Sequence, residues 1–102
     1  MIGEPYTLGR WLVRAGQEDA FVTAWKELGD YFLSLPEPPG VGTLIRSLEN
    51  TRLFFSFGPW RRLEDIGAMR ADPRTPAMLG QLNALCEEAT AGGYRVVATV
   101  GD

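Results

Sequence analysis

The stretch Phe54-Phe55-Ser56-Phe57-Gly58-Pro59-Trp60 (FFSFGPW) decides how the chain folds. Side chains of an extended segment alternate between two faces. Leu53, Phe55 and Phe57 therefore share one face, and Phe54 takes the other. A strand over residues 52–58 that is apolar on both faces needs cover on both, and Pro59 ends it.

Just upstream, residues 43–49 (TLIRSLE) predict a partner strand. The turn Glu49-Asn50-Thr51-Arg52 is so short that the pair must be an antiparallel hairpin. Earlier still, residues 6–15 (YTLGRWLVRA) alternate, with Trp11, Val13 and Ala15 on one face and Leu8, Arg10, Leu12 and Arg14 on the other. Gly16 breaks that strand. Acids in the first turn then open a helix, where the macrodipole favours them. Its stripe is Phe21, Trp25, Leu28, Phe32 and Leu35. Residues 36–40 (PEPPG) stop it, since proline cannot continue a helix.

Downstream, residues 61–71 predict a short helix with Leu63, Ile66 and Met69 inward, broken by DPRTP. Thr75 as cap and Pro76 at the first position start another helix. Its inward stripe is Leu79, Leu82, Leu85, Cys86 and Ala89, and Gly92-Gly93 closes it. Residues 94–100 form the last strand, with Tyr94, Val96, Ala98 and Val100 on one face and Val97 on the other. The order is that of an α+β, ferredoxin-like βαββαβ chain, one domain over residues 1–102, with helices on one face of an antiparallel sheet.

Composition narrows the chemistry. The 102 residues, 45% of them hydrophobic, support one core without metal or disulfide. A net charge of −3 argues against a nucleic-acid partner. One cysteine, Cys86, cannot form an internal disulfide, and a cytoplasmic setting suits it. No apolar run approaches the ~20 residues of a membrane span, and no signal peptide is expected. Histidine is absent. That excludes Ser–His–Asp and Cys–His catalysis and any histidine-ligated metal or haem.

Helices on one side leave the second sheet face without cover. Both sides of the strands carry large apolar groups: Leu53, Phe55 and Phe57 against Phe54, Trp11 and Val13 against Leu8 and Leu12, and Tyr94, Val96, Ala98 and Val100 against Val97. Whichever set is left open would form a contiguous apolar patch, forfeiting roughly 1.5–3 kcal/mol per exposed side chain. A second copy of the same sheet, packed about a two-fold axis, is the simplest cover. The alternative is a monomer whose second face is shielded by the stems of Arg14, Arg46 and Arg95.

Three stretches in this order, residues 11–25 (WLVRAGQEDAFVTAW), 42–60 (GTLIRSLENTRLFFSFGPW) and 94–100 (YRVVATV), resemble the antibiotic biosynthesis monooxygenase superfamily. The resemblance covers most of the chain from Tyr6 to Val100. It implies a homodimeric α+β barrel, with a pocket between each subunit's own sheet and helices. It also implies oxidation of a polycyclic aromatic phenol or quinol by molecular oxygen with no bound cofactor. Haem-degrading relatives use a first-strand asparagine, a tryptophan after the hairpin and a later histidine. Here Gly9 stands near the first, Trp60 matches the second and the third is missing, so that activity is not expected. Where quinol-oxidising relatives carry a histidine beyond the tryptophan, this chain has Arg70 nearest. Arginine can bind a phenolate but stays protonated.

The candidate substrate-binding residues are Trp60, Arg46, Phe54, Arg70 and Trp25. No catalytic residue and no metal ligand can be assigned. Trp60 is either a wall stacking on a flat ligand or a plug at the strand–helix corner. Trp25, like Tyr31, lies by the first helix's core stripe. Arg46 interrupts an apolar strand face, as substrate anchor or as a dimer or surface residue. Arg70 ends a helix, where a cation suits the dipole. Cys86 reads as a buried, inert thiol. Two functions stay open: an oxygenase acting on a small aromatic ligand, and a non-catalytic dimer that binds a ligand or partner.

Overall fold

In the computed structural model, which describes residues 2–101, strand β1 (Pro5–Val13) runs between β3 (Leu53–Pro59) and β4 (Cys86–Arg95), and β2 (Thr43–Arg46) pairs outside β3. The sheet order is β2-β3-β1-β4, and every neighbouring pair is antiparallel. Helices α1 (Glu18–Leu33), α2 (Leu63–Ala71) and α3 (Thr75–Ala84) cover one face. This is the α+β, ferredoxin-like arrangement expected from the order of elements.

The register separates the two faces of FFSFGPW. Trp11 stands opposite Phe54, Gly9 opposite Ser56 and Thr7 opposite Gly58, all toward the helices. Leu8 stands opposite Phe57, Arg10 opposite Phe55 and Leu12 opposite Leu53, all on the open face. Phe54 is 2% exposed, whereas Phe55 and Phe57 stay partly exposed. The main core joins Trp11, Val13, Phe21, Leu28, Phe54, Leu82 and Cys86. A second cluster of Trp60, Ile66 and Met69 takes up Phe32 and Leu35 from the end of α1. Each large apolar side chain so buried stabilises the fold by roughly 1.5–3 kcal/mol.

The last third of the chain departs from the sequence reading. The helix expected to reach Gly92-Gly93 ends at Ala84, and the final strand spans Cys86–Arg95 rather than residues 94–100. Glutamate and alanine favour helix weakly. Here a ladder along the whole of β1 outweighs that preference. Ion pairs Arg10–Glu88 at 3.5 Å and Arg52–Glu87 at 2.9 Å add to it. The glycine pair is not a helix stop but lies within the strand, opposite Thr7 and Leu8. Residues 96–100 carry no regular structure: Val96 still exchanges backbone hydrogen bonds with Glu4 and Gly3, but Val97 is 83% exposed and Val100 fully exposed.

Smaller differences have local causes. β2 stops at Arg46 because the Ser47 hydroxyl accepts the N–H groups of Glu49 and Asn50, turning the chain and leaving Leu48 exposed. β1 stops at Val13, after which the Arg14 N–H bonds the Leu85 carbonyl. Leu63, expected inward, is half exposed, and Asp65 is buried instead with Oδ1 accepting from Arg62 at 3.0 Å.

Candidate functional site

On α1, Asp19, Val22, Thr23 and Lys26 recur at helical spacing and form a flank beside the core stripe. On the sheet, the register places Leu44 opposite Ser56 and Arg46 opposite Phe54, which aims both toward that flank. Together with Trp25 these residues line an open groove of about 670 Å³ between α1 and the edge strand β2. The Arg46 guanidinium carbon sits 4.7 Å from the centroid of the Phe54 ring, a cation–π contact. The Trp25 indole packs beside Gly42, 3.7 Å from where a Cβ would stand. Among the described residues, none of Asp19, Lys26 and Arg46 is in an ion pair. Two cations and one acid thus border an apolar bed of Val22, Trp25 and Leu44. Such a surface accepts a flat aromatic ring bearing an anionic oxygen.

The space between the sheet's centre and the helices is occupied by the protein itself. The Trp11 indole lies over Gly9, so close that a Cβ on Gly9 would stand 2.6 Å from the ring. Its Nε1–H donates to Ser56 Oγ at 3.0 Å, and its ring packs 5.6 Å from Phe21. Trp60, 3% exposed, donates Nε1–H to Thr7 Oγ1 at 3.1 Å and meets Phe32 edge-on at 5.8 Å. Neither Trp11 nor Ser56 stands among the residues read from sequence as candidates. The available signal was Gly9, two residues before Trp11 on the same strand face.

Of the five candidates, the structure brings Trp25, Arg46 and Phe54 together in the α1–β2 groove. Trp60 lies in the second core cluster. Arg70 lies at the opposite edge of the sheet, on a groove of about 450 Å³ between α2 and β4. Other polar groups serve the fold. Tyr31 Oη donates to Asp72 Oδ1 at 2.6 Å, with the Arg74 guanidinium 5.0 Å from the Tyr31 ring centroid. That bond holds the Asp72 carboxyl below its ordinary range and the Tyr31 phenol above its own. Burial pushes the Cys86 thiol up, with Arg14 working against it, which disfavours the reactive thiolate. Among the described residues no three Asp, Glu or Cys side chains are grouped to hold a metal ion, and no helix is long and apolar enough to cross a membrane.

With this geometry in hand, solved structures place the fold among the antibiotic biosynthesis monooxygenases. SnoaB of Streptomyces nogalater, described as a cofactor-independent oxygenase, superposes with a TM-score of 0.85 at 18% identity, over 98% of this chain and 99% of that one. A single-site variant of SnoaB gives 0.86 at the same identity and coverage. A Deinococcus radiodurans protein with a provisional designation as an antibiotic biosynthesis monooxygenase gives 0.80 at 11% identity, over 96% of this chain and 97% of that one. Likeness at such identities establishes the fold. At the level of sequence, no protein-family model and no curated protein matches.

Proposed function

We propose that the protein is a monooxygenase that binds a polycyclic aromatic phenol or quinol in the α1–β2 groove and oxidises it with molecular oxygen, without a bound cofactor. The observation that carries this reading is the convergence of Trp25, Arg46 and Phe54 on one groove of a fold shared with a cofactor-independent oxygenase. Trp25 and Leu44 bed the ring, and Arg46 holds the phenolate oxygen, with Lys26 as a second cation. A cation there favours the ionised phenol, and ionisation raises electron density at the ring carbons.

Such a carbon can reduce oxygen itself. One electron passes from the phenolate to O₂, and the two radicals join in a C–O bond. The O–O bond then breaks as that carbon gives up its proton. One oxygen stays as a carbonyl and the other leaves as water. The substrate loses four electrons and O₂ gains four. The chain's own part is to orient the ring and hold the charge.

In this reading the protein works as a homodimer whose two open sheet faces meet, covering Leu8, Leu12, Leu53, Phe55 and Phe57. Support comes from their alignment in neighbouring register pairs, which makes the apolar patch contiguous. The lone, buried thiol suits a reducing cytoplasm.

A second reading is a non-catalytic dimer that binds a ligand or partner. The filled interior favours it: Trp11, Phe54 and Trp60 take the space a buried substrate would need. Oxygen uptake separates the two. Hydroxylated naphthalenes and naphthoquinols in air-saturated buffer should consume oxygen faster with protein than without, and Arg46→Gln should remove the excess. Uptake equal to the protein-free rate across the panel would leave the second reading.

A further inference from the structure

The groove at the β4 edge carries two arginines that no other described residue pairs. On β4, Gly93 and Arg95 stand opposite Thr7 and Pro5, so they share the helix-facing side. From α2, Arg70 reaches over the strand, with its Nη2 3.6 Å from the point a Gly93 Cβ would occupy. Both arginines line the groove, and neither is in an ion pair or side-chain hydrogen bond with a described residue. The floor is apolar, formed by buried Ile66 and half-exposed Leu63. The α2 wall is open at Gly67, where a Cβ would meet nothing within 4 Å, while the space beside Gly93 on β4 is taken by the Arg70 guanidinium.

We propose that this groove is a second binding site, selective for a small oxyanion joined to an apolar body. The oxyanion bridges Arg70 and Arg95, and the apolar part rests on Leu63 and Ile66. Two guanidinium groups on one trough repel each other, and a carboxylate or phosphate between them turns that repulsion into charge-assisted hydrogen bonds. The missing side chain at position 67 leaves room for the body of the ligand, and the missing one at position 93 lets the Arg70 head group lie over the strand. The site lies at the opposite edge from the Arg46 groove and does not depend on the reading given for that groove.

The test is a ¹⁵N NMR titration of the full chain with 1-naphthoate and 1-naphthyl phosphate, using neutral 1-naphthalenemethanol as control. Saturable shifts are expected at the Gly67 and Gly93 amides with at least one anion, and weak, non-saturating shifts with the alcohol. The anion that binds more tightly identifies the head group. The double variant Arg70→Gln/Arg95→Gln should lose on the order of tenfold in affinity per arginine. Gly67→Leu fills the trough from an open helix position, so it should abolish binding while the spectrum stays dispersed. Equal binding of the alcohol, unchanged affinity in the double variant, or anion shifts confined to Leu44 and Arg46 would overturn the proposal. Shifts confined to Leu44 and Arg46 would leave the first groove's reading intact.

Discussion

Trp11 donates its indole N–H to the Ser56 hydroxyl at 3.0 Å across the β1–β3 pair, and the ring so held covers Gly9. One hydrogen bond and one missing side chain thus decide what occupies the middle of the fold. Because Trp11 is 3% exposed, its N–H has no water to fall back on. Ser56→Ala should therefore cost about 1–3 kcal/mol, read as a lower urea midpoint with an unchanged slope.

Gly9→Ala tests the same contact from the strand side. A Cβ 2.6 Å from the indole must push the ring away or shift the strand. A loss of about 1–3 kcal/mol is expected, with a changed tryptophan emission. If emission and stability both match the wild type, the ring does not cover Gly9.

Arg46 is exposed, with its guanidinium over the face of Phe54, so its removal should barely affect folding. Arg46→Gln should change stability by no more than about 1 kcal/mol. Its effect should fall on ligands. Affinity for a hydroxynaphthoate should drop roughly tenfold or more by calorimetry, and affinity for naphthalene should hold. A parallel loss for both would mean that the residue shapes the groove rather than binding charge.

The Tyr31–Asp72 bond gives stability two pH limbs. Asp72 titrates below its ordinary 3.8, chiefly because it accepts the Tyr31 hydroxyl and also the Arg74 N–H. Its contribution is present above that ordinary value and is lost as pH falls through the folded one. Tyr31 titrates above its ordinary 10.0, chiefly through the same bond, then through burial and the Asp72 charge. Its contribution is present below 10.0 and is lost as pH rises through the folded value. Urea midpoints should fall at both ends, and Tyr31→Phe should weaken both declines. An unchanged pH profile in that variant would show that the bond is not made in solution.

How far the sequence carries depends on whether a residue's environment is local. The stripe of α1 and the two faces of β3 are readable because periodicity alone places Phe21, Leu28 and Phe54. Strand β4 is not, since Glu87 to Ala91 favour helix and only pairing with β1 overrides them. Gly92-Gly93 mislead for the same reason: a stop signal and a trough in a strand use the same residue. Trp25, Arg46 and Phe54 were nameable from the resemblance and residue type. Their meeting in one groove depends on register and helix docking. Trp11 escaped because its ring direction rests on a glycine and a serine that say nothing singly.

Whether β3 is covered on both faces is decided by mass in solution. The helices cover Phe54, and a second copy of the sheet is the cover proposed for Phe55 and Phe57. Sedimentation equilibrium at micromolar concentration should give about twice the chain mass, and Phe57→Glu should return it to the single-chain value while circular dichroism stays unchanged. A wild-type mass of one chain at that concentration would contradict the account.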